Sequence, residues 1–133
     1  MAFILDASVA VAWVVAKQAT AYSRGIRLRA KREPYHAPAL WRLEVVNVIS
    51  VLARRGSLSA EAGRNAIDIL DRLQPVIHES TPAMTELFDL AQRYNLTAYD
   101  ASYLALALEL KLPVACLDGK LRIALKSARA RLA

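Results

Sequence analysis

Ala2-Phe3-Ile4-Leu5-Asp6-Ala7-Ser8 is a short apolar run that stops on a carboxylate. Its length and unbroken apolar character fit a strand buried on both faces, over Ala2–Leu5. The pattern returns near the other end of the chain. Val114-Ala115-Cys116-Leu117-Asp118-Gly119 is again an apolar run ending on an acid, and it predicts a strand over Val114–Leu117 with a turn at Asp118-Gly119.

The intervening chain alternates helical and extended signals. Helices are expected over Ser8–Ala16, over the basic stretch Ala19–Lys31, and over the long apolar stretch Ala39–Arg55, which stops at Gly56. Ser59 caps a helix running to Leu73, and Pro82 opens one over Ala83–Tyr94. Thr97 starts another that ends near Leu110, ahead of Pro113, and Lys120–Ser127 is helical. Pro34–Ala37 and Val76–His78 are the extended pieces between them, each bounded by proline. Short apolar strands alternating with helices define an α/β protein with a parallel sheet covered on both faces. No repeat, low-complexity tract or linker interrupts the pattern, so residues 1–133 are expected to form one domain.

Charge narrows the function classes. The chain carries a formal charge of +6, with basic clusters at Arg24, Arg27, Arg29, Lys31 and Arg32 and at Lys120, Arg122, Lys126, Arg129 and Arg131. Such a surface attracts polyanions, nucleic acid among them. The single cysteine, Cys116, excludes an intrachain disulfide and sits in an apolar run as a core residue. No basic secretory start and no run of membrane-spanning length is present, which leads to the expectation of a soluble, cytoplasmic protein.

In parallel α/β sheets, ligands bind beyond the carboxyl ends of the strands, and Asp6 and Asp118 both follow strands. Each has an ordinary structural role open to it. Asp6 is a good helix N-cap, Asp118 is a good turn residue, and Asp100, three residues after Thr97, is a capping-box partner. Glu44 is different. It interrupts the apolar helix Leu40-Trp41-Arg42-Leu43-Glu44-Val45-Val46-Asn47-Val48-Ile49 and shares a face with Asn47. A buried carboxylate without a partner is costly, so this stripe faces either water or something positive, and the apolar helix favours the second. If the four acids converge, their repulsion calls for a hard divalent cation, Mg²⁺ or Mn²⁺. His36 and His78 are isolated in the sequence and do not suggest zinc; they are taken as ordinary structural residues.

Leu5-Asp6-Ala7-Ser8, Leu43-Glu44-Val45-Val46-Asn47, Thr97 through Ala107, and Leu117-Asp118-Gly119-Lys120-Leu121 together resemble, in order and spacing, the motifs of PIN-domain ribonucleases, and most closely VapC toxins of VapBC toxin–antitoxin systems. The resemblance covers nearly the whole chain. It implies a three-layer sandwich with a central, mostly parallel sheet of four to five short strands flanked by helices. It implies an endoribonuclease whose Asp6, Glu44, Asp100 and Asp118 bind magnesium or manganese, with Ser8 and Asn47 as accessory residues that orient the carboxylates or a metal-bound water. It also implies a homodimer and a VapB-like antitoxin that keeps the enzyme inactive. Three departures stand out: Cys116 replaces a common threonine, no further acid closely follows Asp118, and Ala128–Ala133 lacks the usual glycine turn and final strand.

The expected reaction is metal-assisted hydrolysis of RNA phosphodiester bonds, with basic residues holding the backbone. Single-stranded regions are the expected targets, because an A-form duplex hides its base edges. A non-catalytic PIN-like module for nucleic-acid or protein binding is the alternative. A phosphatase or phosphoacceptor domain fits less well, because paired acids normally follow its first strand and here Asp6 precedes Ala7 and Ser8. The apolar excess on Ser8–Ala16, including Val9, Val11, Trp13 and Val14, and on Ala39–Arg55 is expected to be covered by a second copy and by an antitoxin helix.

Overall fold

The computed structural model describes residues 1–133. The elements run β1 (Phe3–Leu5), α1 (Ala7–Val14), a 3-10 turn (Ala16–Gln18), α2 (Ala21–Ala30), β2 (Tyr35–Pro38), α3 (Trp41–Arg54), α4 (Ala60–Arg72), β3 (Val76–His78), α5 (Met84–Tyr94), α6 (Ala98–Leu110), β4 (Val114–Ala115) and α7 (Gly119–Ser127). All four strands are parallel, in the order β3-β2-β1-β4. Parallel strands need crossover connections, and the helices between them supply these and cover the sheet.

The apolar run that opens the chain takes an inner position. Phe3, Ile4 and Leu5 are fully buried, with β2 on one side and β4 on the other. Helix α6 is apolar on almost every side, and Ala101 through Ala107 form one continuous buried stretch. Helix ends follow local chemistry. Gly56 takes a positive φ of 76° just beyond α3, and Asn95 and Lys111 close α5 and α6 in the left-handed region.

Three sequence expectations need revision. The apolar surface of α1 is not left over for a partner: Val9 and Val11 are buried, and Trp13 and Val14 pack against the core. This helix contacts α2, α3 and α4, so the chain's own layers use its faces. Leu43 and Val46, at 76% and 46% exposure, are the large apolar residues that α3 leaves uncovered.

The second revision concerns β4, which ends at Ala115 rather than Leu117 because side chains from the adjoining helices take over its next backbone groups. The Leu117 N–H donates to Ser8 Oγ at 3.0 Å, and the Cys116 carbonyl accepts from Arg122 Nε at 2.8 Å. The third concerns the histidines, which are not isolated. His36 Nδ1 and His78 Nε2 meet at 2.9 Å across β2 and β3.

The tail does reach the sheet. Leu132 forms a single parallel bridge with Val114, and the N–H of Ala133 donates to the Val114 carbonyl at 2.8 Å. A fifth strand is therefore reduced to one bridge at the β4 edge.

Candidate active site

The acids gather at the carboxyl ends of β1 and β4. Asp6 ends β1, is only 5% exposed, and caps α1. Its Oδ2 accepts from both the backbone N–H and the hydroxyl of Ser8. With its proton given to Asp6, the Ser8 hydroxyl accepts from Leu117 N–H. Ser8 thus ties the ends of β1 and β4 together. Asp118 follows β4 and caps α7, its Oδ1 accepting from Leu121 N–H at 2.9 Å. The structural roles open to these two acids are therefore filled, and each keeps one carboxylate oxygen with no protein donor.

The other two acids come from helices. Asp100 sits in the first turn of α6, where its N–H donates to Thr97 Oγ1 at 3.1 Å. Glu44 lies in the first turn of α3, half-buried, and its Oε1 accepts from the Tyr103 hydroxyl at 2.7 Å. Tyr103 lies one turn beyond Asp100 and is fully buried. It was hidden in the sequence among the apolar residues of Thr97–Ala107, where its spacing from Asp100 was the available signal. Asn47 is exposed, one turn along from Glu44; with Glu44, Leu43 and Tyr99 it lines a cavity of about 650 Å³.

Burial first, and neighbouring carboxylates second, raise the proton affinity of Asp6, Glu44 and Asp100. Burial, reinforced by Asp100 and Asp118 and opposed by the Ser8 hydrogen bonds, lifts Asp6 from 3.8 to about 6. Burial lifts Glu44 from 4.5 to about 7, with the Tyr103 hydrogen bond opposing and Asp6 and Asp100 adding to the rise. Asp100 is raised by burial and then by Asp118, while nearby Lys120 pulls the other way. No Lys or Arg forms an ion pair with any of the four; the ion pairs are Arg29–Glu33 and Arg42–Asp71. Glu44 therefore has no positively charged side chain as a partner within the fold, and it borders a cavity.

The acids share an electrostatic field without forming a finished coordination sphere. No three carboxylate, imidazole or thiolate side chains converge on one ligation point. The two observations concern different lengths: ligation requires oxygens about 2.1 Å from a common centre, whereas repulsion acts over several ångströms. An all-oxygen donor set with uncompensated negative charge fits Mg²⁺ or Mn²⁺, because Mg²⁺ typically keeps several waters and takes one or two carboxylates. The set offers no sulfur or imidazole for a softer metal: Cys116 is buried and its thiol is pushed up to about 12, mainly by burial.

A PIN-domain family profile matches residues 3–124. The chain belongs to the PIN-domain family. Among its relatives are "Ribonuclease VapC1" of Mycobacterium tuberculosis, 31% identical over 91% of this chain and 89% of that protein, and "Ribonuclease VapC3" of Pyrobaculum aerophilum, 28% identical over 91% and 92%. "Ribonuclease VapC9" of M. tuberculosis is 34% identical over 67% of this chain and 68% of its own length. The crystal structure of PAE2754 from P. aerophilum superposes with a TM-score of 0.68 at 28% identity, covering 93% of this chain and 87% of that one. These likenesses place this PIN domain in the VapC group.

Part of the basic surface of this PIN domain is engaged internally. The Arg122 guanidinium packs 4.6 Å from the Tyr22 ring centre, Arg27 lies over Trp13, and Arg29 pairs with Glu33 and covers Phe3. Arg24, Lys31, Arg32, Lys120, Lys126 and Arg129 remain exposed.

Proposed function

We propose that this PIN domain is a Mg²⁺- or Mn²⁺-dependent endoribonuclease and the toxin of a type II toxin–antitoxin pair. The observation that carries the reading is the set of four acids, drawn from four separate segments to one rim of the sheet, none of them in an ion pair. The VapC relatives are named as ribonucleases, which supports the reading.

Asp6, Asp100, Asp118 and Glu44 would hold the ion. When bound, such an ion supplies Lewis acidity toward a phosphodiester and lowers the pKa of water. Ser8 fixes Asp6, and Tyr103 fixes one oxygen of Glu44, leaving the other free. The Glu44 oxygen that Tyr103 leaves free would be the acceptor for a proton from an attacking water. Exposed lysines and arginines, Lys120 beside Asp100 among them, hold the RNA backbone. Cleavage of a structured RNA is expected to stop in excess chelator and to return with Mg²⁺ or Mn²⁺. Undiminished cutting in chelator would remove the metal from the mechanism, and no cutting under any condition would favour a non-catalytic binding module.

The partners follow from the same reading: RNA, a VapB-like antitoxin and a second copy of the chain, acting in the cytoplasm. No helix is long and apolar enough to cross a membrane. Exposed apolar side chains concentrate at Leu43, Val46 and Tyr99 around the acid rim, and at Met84 and Phe88 on α5. Light scattering is expected to report a dimer alone and a larger complex with the product of the adjacent small gene. A monodisperse monomer indifferent to that product would overturn the partner assignment and leave the nuclease reading to the chelator test.

A further inference from the structure

A second cavity, of about 330 Å³, opens beside the acid rim and has no part in holding the metal. It lies at the carboxyl ends of β2 and β3, where Pro38 and His78 line it, while the acids Asp6 and Asp118 lie at the ends of β1 and β4. In the order β3-β2-β1-β4 the two sites are neighbours on one edge of the sheet. Two strand spacings separate their centres, about 10 Å. Leu40 and Leu43 line both this cavity and the one containing Glu44, so a chain lying over Glu44 passes the exposed Leu43 ridge directly into it.

We propose that this cavity receives one unpaired nucleobase of the RNA, guanine preferred, next to the phosphodiester that is cut. The inference rests on the nuclease reading and adds a base-reading subsite to it. The volume falls within the range of small-molecule sites. Pro38, Leu40, Leu43 and Leu106 give it apolar lining, suited to the faces of a ring. Its lining includes Glu109, which shares an α6 face with Leu106 and has no ion-pair partner.

An ionised carboxylate only accepts hydrogen bonds, so Glu109 selects a base edge that presents N–H groups. Guanine offers two adjacent donors on its Watson–Crick edge, N1–H and the amino group, and so forms the two-oxygen pair. Adenine, cytosine and uracil each offer one donor beside an acceptor, which faces the second carboxylate oxygen unfavourably. The hydroxyls of Ser80 and Thr81 and the ring of His78 border the same space, while the Ser102 hydroxyl is already donated to the Tyr99 carbonyl. Only an unstacked base reaches such a cavity, which matches a single-stranded target.

Glu109 is exposed and touches none of the four acids, so its replacement leaves the metal site intact. Wild type, Glu109→Ala and Glu109→Gln should be given a random-sequence RNA pool and the cut ends sequenced. The expected result is a guanine preference of about tenfold or more at one position flanking the cut. Both variants should erase it while still cutting. A second arm measures fluorescence anisotropy of short labelled RNAs, with and without guanine at that position, on the Asp6→Asn protein with and without Glu109→Ala; if no cut defines a position, guanine is stepped through the oligonucleotide.

Cutting without a base preference, or with one that Glu109→Ala leaves unchanged, overturns the subsite and spares the nuclease. Guanine-dependent binding that needs Glu109, with no cutting by wild type, upholds the subsite and sinks the nuclease. The absence of both cutting and guanine-dependent binding removes both.

Discussion

RNA cleavage by the Asp6→Asn, Glu44→Gln, Asp100→Asn and Asp118→Asn variants is expected to fall by about two orders of magnitude or more, with each variant still folded. The isosteric choice matters because two of these acids also hold up the fold. Asp6 caps α1 and Asp118 caps α7, and Asn is as good a cap as Asp, so the amide removes the charge and keeps the helix start. Alanine would confound the two roles, since losing a cap costs about 1 kcal/mol by itself. Gln at position 44 likewise keeps an acceptor for the Tyr103 hydroxyl. Asp68→Asn and Asp89→Asn remove the same charge from exposed helix faces and should leave cleavage near the wild-type rate. Rates measured on one RNA at saturating Mg²⁺, beside thermal melts of every variant, test the assignment. If the two surface variants lost as much activity as the four rim variants, the site would be misplaced.

The parts of this site that were legible in the sequence are those whose signal is local. Asp6 and Asp118 stand out because each ends an apolar run, and the sheet rule says that strand ends are where ligands bind. Glu44 stands out because a carboxylate in an apolar helix costs energy wherever it points. Tyr103 lacks such a signal: a tyrosine in an apolar helix packs well in a core, and only α3, brought across the α6 face, turns its hydroxyl into a donor for Glu44.

The same limit explains the histidines. His36 and His78 are 42 positions apart and meet only through the parallel pairing of β2 with β3, a register that neither strand encodes alone. The faces of α1 misled for a related reason. Apolar residues all round a helix signal burial on several sides, but they do not say whether the covering surface is the same chain or another. Here α2, α3 and α4 cover it.

In chelator, the folded protein is expected to lose stability as pH rises from about 4 to about 7, the reverse of the usual carboxylate behaviour. The folded-state values of Asp6 and Glu44, about 6 and about 7, lie above their ordinary values of 3.8 and 4.5. Between the two values the native state binds more protons than the unfolded chain, so the slope of unfolding free energy with pH is negative. Asp100, also raised, adds in the same direction. His36, lowered by burial and by His78, acts oppositely, so the comparison that isolates the acids is wild type against Asp6→Asn, in which the imidazole pair is common to both.

At about 1.4 kcal/mol per pKa unit, the rise of the well-buried Asp6 from 3.8 to about 6 amounts to roughly 3 kcal/mol of lost stability above pH 7. Urea unfolding should therefore find Asp6→Asn more stable than wild type by up to about that amount at pH 8, and nearly equal to it at pH 4. Mg²⁺ or Mn²⁺ at pH 8 should restore the wild type by binding the native state, and should do much less for the variant. A variant no more stable than the wild type at pH 8 would mean that burial leaves no uncompensated charge on Asp6, and the electrostatic case for a cation at this rim would fail with it.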